Sequence, residues 1–139
     1  SGLPLDASFD ALCRLYWRTC VGLALGLRAV LGHLAAYGLP ADTLHVAGGH
    51  ARHPLLVELY ADATGLPVVE PAAPDAVLLG TAMAAATAAG LHPSLAAAAR
   101  AMGQGGTPRQ PDPTAAPRIA RDRRAYDAMR RHRAELEAI

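Results

Sequence analysis

An α/β fold is predicted for this chain, and three observations predict it. Its periodic segments alternate helix, strand, helix, strand, helix, the order of a parallel sheet whose strands are joined by helical crossovers. Glycine and proline stand at the junctions, at Gly38 and Pro40, Gly48 and Gly49, Gly65, and Gly90, where a chain turns between elements. The composition is 52% hydrophobic but only 4% aromatic over 139 residues, which suits one domain with a core of Leu, Val and Ala. So apolar a chain is no disordered segment.

The first helix is expected from about Phe9 to Tyr37. Ser8 is a suitable cap, and Asp10 places negative charge at the positive end of the helix dipole. Gly38 and Pro40 stop it. Leu12, Leu15, Tyr16, Thr19, Leu23, Leu27, Val30, Leu31 and Leu34 recur at helical spacing as its inner face. At 1.5 Å per residue this helix is about 40 Å long.

Thr43 to Ala47 then reads as a short strand ended by Gly48-Gly49. A helix follows from Pro54 to Thr64, with Leu55, Leu56, Leu59 and Tyr60 inward and Gly65 closing it. Pro67 to Glu70 is a second short strand, and Asp75 opens an Ala-rich helix that reaches Ala89. Ser94 caps a short helix to Met102, Gly103 to Pro117 reads as loop, and a charged helix runs from about Ile119 to Ala138. Two short strands do not make a stable sheet alone, and parallel strands are covered on both faces. The long first helix has no strand before it. The chain is therefore expected to be the later part of a larger domain.

Several function classes lose support. The formal net charge of +1 gives no bulk attraction to a polyanion. The last helix carries Arg118, Arg121, Arg123, Arg124, Arg130, Arg131 and Arg133 among acidic residues. Pairs such as Asp127 with Arg131 and Arg131 with Glu135 fall at the i,i+4 spacing of a solvated face. A nucleic-acid binder would add interleaved aromatics and a basic excess, so no nucleic-acid partner is expected. Arg14, Arg18, Arg28 and His33 interrupt the apolar first helix, and no membrane span is expected. Cys13 and Cys20 stand seven apart, about 10 Å along a helix, beyond disulfide reach. Both are expected to be buried thiols in a reducing cytoplasm.

The strongest chemical signal is the turn Ala47-Gly48-Gly49-His50-Ala51-Arg52-His53-Pro54 between strand and helix. Paired glycines let a backbone approach a ligand and adopt positive φ. The helix that follows directs free N–H groups at the same spot, which suits a phosphate. Such a turn also serves as plain structure, and it is neither a P-loop nor a dinucleotide fingerprint. His45, His50 and His53 lack the spacing of a zinc site, so no metal ligands are assigned. His53 reads as a ligand contact or a helix cap, and His33 and His92 as surface or capping residues. No Gly-x-Ser-x-Gly is present, and neither cysteine has an evident base beside it. Asp62 and Asp75 could each be a general base, although a cap or surface charge suits each better.

Several stretches together resemble the C-terminal part of the FGGY carbohydrate kinases. The helix from Leu15 to Arg28 is similar to their helix ending in Gly-x-Arg. Val46 to Leu55 resembles their adenosine-binding turn, followed by Tyr60 to Val68 as in the family. Asp75-Ala76-Val77-Leu78-Leu79-Gly80-Thr81-Ala82 is similar to their acidic-x-x-x-Leu-Gly-x-Ala helix start, and Pro117 to Tyr126 resembles the closing segment of the ribulokinase-like, pentulose kinase branch.

The resemblance implies an actin-like, ribonuclease H-like ATPase fold, present here in part as a long helix, β-α-β-α, and extra C-terminal helices. Residues 1–139 would be the later part of the nucleotide-binding domain, without the N-terminal domain or the start of this one. Those missing parts would be the chain's principal partner, and association with further copies stays open. The implied reaction is transfer of phosphate from ATP, with Mg²⁺, to a ketopentose such as ribulose. Xylulose, ribitol or glycerol are alternatives, as is a non-catalytic actin-like binding module. Gly48 and Gly49 would lie against the α-phosphate and ribose, with His50 and His53 at positions that contact nucleotide. Helices starting near Pro54 and Asp75 would wall the adenine pocket, with Gly80 allowing close packing there. His50 stands where relatives usually carry a small residue, and His53 where they carry Ser or Asn. The catalytic Asp and the sugar-binding residues of the family match nothing here, so no catalytic residue is assigned and the chain alone is expected not to turn over.

Overall fold

The computed structural model describes residues 8–73 and 75–138. Helix α1 runs from Phe9 to Ala36, and the Ser8 hydroxyl accepts from the Ala11 N–H at 3.2 Å as its N-cap. It ends at Gly38, whose φ of 79° carries the chain out of the helix. The Leu39 N–H returns to the Leu34 carbonyl and the Gly38 N–H to Ala35, both at 3.0 Å, which satisfies carbonyls that the helix end would leave open.

Strand β1 is Leu44–His45, shorter than the segment read from the sequence, and a 3₁₀ turn at Gly48–Arg52 leads into helix α2, Pro54–Thr64. Gly65, with φ of 75°, closes α2. Strand β2, Val68–Pro71, lies parallel to β1 with Leu44 opposite Val68 and His45 opposite Val69. Asp75 caps helix α3, Ala76–Ala88, by accepting from the Leu78 N–H at 2.9 Å. Ser94 does the same for helix α4, Leu95–Met102. Strand β3, Gly106–Arg109, pairs antiparallel with β2, giving the sheet order β1-β2-β3. Helix α5, Ala116–Glu137, ends the described chain.

Strand β3 corrects the reading of Gly103 to Pro117 as loop. All four of its residues are exposed, so it has none of the apolar alternation that marks a strand in sequence. Pro108 has no N–H to give a ladder, which restricts it to a sheet edge, and β3 is the edge.

The core joins α1, α2 and the sheet. Cys20, Val21, Ala24 and Leu25 of α1 pack with Leu56, Val57, Leu59, Tyr60, Ala61 and Ala63 of α2, and with Val46, Val68 and Ile119. The inward side of α2 was legible. That of α1 was legible only in part: Leu27 packs against the core, but Leu12, Leu15, Tyr16, Leu23, Val30 and Leu34 of its expected inner face are exposed. Two apolar stripes run along this helix, and the one with smaller side chains lies against α2, where it allows the helices to come close. Arg28 fastens the pair by donating from Nη1 to the Ala63 carbonyl at 2.6 Å, a cation at the negative end of α2. Cys20 is buried as expected, but Cys13 is exposed and both thiols are free. By length and composition α1 would also cross a bilayer, with mean hydropathy of 1.5 over its most apolar window; here its buried stripe is held by α2.

On α5 the ion pairs are Arg118 with Asp62, Arg121 with Asp122 and Arg133 with Glu137. Among the described residues, neither Asp127 with Arg131 nor Arg131 with Glu135 is paired.

Candidate functional site

The parallel strands β1 and β2 end on the same side of the sheet, and the segments leaving them face each other across a cleft of about 210 Å³. One wall is Gly48, Ala51 and Arg52, after β1. The other is Pro71, Ala72, Ala73, Asp75 and Ala76, after β2. In open α/β sheets, ligands bind in the crevice beyond the carboxyl ends of the strands.

Gly48 holds φ at 73°, a conformation costly to any residue with a Cβ. A Cβ built on Gly48 or Gly49 would meet no atom within 4 Å. These glycines are therefore not dictated by packing within the chain, and Gly48 is dictated by the turn. Pro54 starts α2, where its missing N–H is no loss.

The two histidines of the turn are held by tyrosines. His50 Nδ1 is 2.9 Å from the Tyr60 hydroxyl, and His53 Nε2 hydrogen-bonds with the Tyr16 hydroxyl. Desolvation, followed by the neighbouring Cys20 thiol, holds both tyrosines above the ordinary phenol value of 10.0, so each keeps its proton over the physiological range. His53 occupies the N-cap position of α2 without a capping hydrogen bond from its side chain. Its Nδ1 is buried with no partner.

Of the residues singled out in sequence, Gly48 lines the cleft, while Gly49, His50 and His53 belong to the adjoining turn and α2 cap. Gly80 lies further along α3 on an exposed surface, and its Cβ position meets nothing within 4 Å. It packs closely against no part of this chain. Arg52 lines the cleft and was not assigned to it from sequence, whereas Asp75 lines it at the helix start that the family resemblance placed beside the nucleotide. The signal for Arg52 was present, a cation inside the glycine turn.

Asp62 is neither a free base nor a cap. Its side chain is 2% exposed, accepts from the Asp112 N–H at 2.8 Å, and lies 4.0 Å from Arg118 Nη2. It pins the segment before α5 onto α2, and Arg118 in turn lies 4.8 Å from the Trp17 ring centroid. Among the described residues no group of three or more His, Cys, Asp or Glu is placed to hold a metal ion.

A sheet with a cleft at a glycine turn defines an α/β domain, and comparison with known proteins gives its family. The model for the C-terminal domain of the FGGY family of carbohydrate kinases matches residues 1–89. An FGGY carbohydrate kinase domain-containing protein of Xenopus laevis is 40% identical over 105 residues, covering 76% of this chain and 19% of that protein. A ribulokinase of Mycolicibacterium smegmatis is 36% identical over 104 residues, 74% of this chain and 18% of that one. The crystal structure of xylulose kinase from Rhodospirillum rubrum superposes with a TM-score of 0.71 at 24% identity, over 98% of this chain and 27% of that one. The chain belongs to the FGGY family of carbohydrate kinases, to the C-terminal domain of these phosphotransferases, with part of their actin-like ATPase fold. It spans about a fifth of the length of the curated relatives it matches.

Proposed function

We propose that this chain is the nucleotide-binding portion of an ATP-dependent kinase for a ketopentose of the ribulose type. The observation that carries the nucleotide reading is the cleft between the ends of β1 and β2, entered by Gly48 in its left-handed conformation. The residues present fit ATP: the glycine turn lets backbone approach a phosphate, and the Arg52 guanidinium on the same wall pairs with one. On this reading Gly49 lies with Gly48 against the α-phosphate and ribose, His50 and His53 stand at positions that contact the nucleotide, and Gly80 lies on the adenine side on α3. Mg²⁺ accompanies ATP and is held largely by phosphate oxygens with one or two carboxylates, so it needs no all-protein cage. Bound ATP supplies the phosphoryl group; the protein's part in such a transfer is to position the reactants and neutralise developing charge.

The ketopentose reading is supported by a relative named for ribulose and a fold match named for xylulose. The base that accepts the sugar hydroxyl proton belongs outside these residues on this reading, because Asp62 is buried in a tether and Asp75 does not match the catalytic Asp of the family. The same reading puts the start of this domain and a second, sugar-binding domain in the remaining four-fifths of the protein's length, and the protein in the cytoplasm. The test is ADP release by the intact protein with D-ribulose, L-ribulose, xylulose, ribitol and glycerol. Release with a ketopentose is expected. Release with glycerol or ribitol alone would replace the sugar, and ATP binding without release on any of them would leave a non-catalytic binding module.

A further inference from the structure

We propose that Arg52 and Asp75 give the cleft a polarity that orients the nucleotide, Arg52 taking the phosphate end and Asp75 the ribose hydroxyls. The inference rests on the nucleotide reading of the cleft. Arg52 closes the 3₁₀ turn after β1, Asp75 opens α3 after β2, and both line the same cavity of about 210 Å³. Among the described residues no ion pair joins them, and the Arg52 guanidinium has neither a carboxylate nor a hydrogen-bond partner. Opposite charges held apart in one cleft accept a ligand with a charged end and a neutral hydroxyl-bearing end in one sense only.

The assignment of ends follows from donors and acceptors. A guanidinium offers N–H donors in a planar fork that matches phosphate oxygens. It stands on the wall with Gly48, beside the N-terminus of α2, which attracts anions in the same sense. A carboxylate can only accept. It repels a phosphate and pairs with O–H donors, of which a ribose presents two on adjacent carbons. Oδ1 of Asp75 is taken by the Leu78 N–H at 2.9 Å, which fixes the carboxylate at the rim and leaves Oδ2 for the ligand. The discriminating feature is thus a diol set back from a polyphosphate. Inorganic phosphate or a nucleoside alone satisfies only one wall.

The test uses the intact protein and calorimetric binding of ATP, ADP, adenosine and 2′,3′-dideoxy-ATP. The wild-type protein should prefer ATP to the dideoxy analogue by about tenfold, the worth of hydrogen bonds to a charged acceptor. Asp75→Asn keeps the helix cap, since Asn caps as well as Asp, and should abolish that preference without weakening the dideoxy analogue. Arg52→Gln should weaken ATP and ADP about tenfold, as expected for a lost charge-assisted contact, and leave adenosine unchanged. Unfolding midpoints matching the wild type show that neither variant acts through the fold, and Asp75→Ser serves as a second capping replacement. Retained preference in Asp75→Asn, or equal weakening of ATP and adenosine in Arg52→Gln, would overturn the polarity while the nucleotide site stands. A wild-type protein that binds no ATP would overturn the site and the polarity together.

Discussion

At Gly106 an added Cβ would stand 2.3 Å from the Glu70 carbonyl oxygen and 2.6 Å from Val69 Cγ1. The first of these is rigid backbone, so Gly106→Ala should push β3 away from β2 and cost about 1–3 kcal/mol, read as a lower urea midpoint. Asp112 is a second local determinant. Its carboxylate accepts from the Thr114 hydroxyl and N–H at 2.8 Å, and these bonds hold its pKa below the ordinary 3.8. A group with a depressed folded pKa stabilises above its unfolded value and loses that contribution as pH falls through the folded one. Thr114→Val removes the hydroxyl bond, so its melting temperature should fall less than that of the wild type on acidification below about pH 4. Both residues lie in the stretch that reads as loop. The sequence marks Gly106 and Asp112 as turn formers and carries no trace of the partner strand that makes one a packing residue. Asp62 was hidden for a related reason, since its partners Asp112 and Arg118 are 50 and 56 positions along the chain.

Among the helices, the inner face of α2 was the most legible and that of α1 the least. Helix α2 has one apolar side bounded by Pro54 and Gly65, so periodicity and punctuation agree. Helix α1 has two, and a period of 3.6 fixes only that both exist. Which of them meets α2 depends on the fit of Cys20, Val21 and Ala24 against Leu56 to Ala63, a tertiary fact. The contrast is open to measurement. Leu25 is 3% exposed and Leu23 is 48% exposed. Leu25→Ala should cost about 2–5 kcal/mol, whereas Leu23→Ala should stay within about 0.5 kcal/mol of the wild type in the 139-residue chain. Equal losses would mean that the outer stripe is covered within this chain. The glycine turn was legible as local chemistry, while the second wall, after β2, was expected only through the family resemblance, because no local pattern shows which turns meet across a sheet.

For the whole molecule, the site has two walls and no reacting centre. The 139-residue chain alone should therefore give no sugar-dependent ADP release under conditions where the intact protein does, and turnover by the chain would place the base among Asp62, Asp75 or a residue not considered. The confinement of the core to the middle of α1, to α2 and to β2 has one more consequence, for the order in which the molecule opens. No residue of α3 is buried, α4 buries only Ala98, and α5 is exposed throughout from Ala128 to Ala138. Amide hydrogens in such regions exchange through local opening, while those beneath a packed core await global unfolding. Deuterium uptake should accordingly be fast in α3, α4 and the far half of α5, and slowest from Leu56 to Ala63. A bound nucleotide touching Asp75 and Ala76 would then appear first as protection at the start of α3, so a segment with no buried residue of its own is the one that reports occupancy.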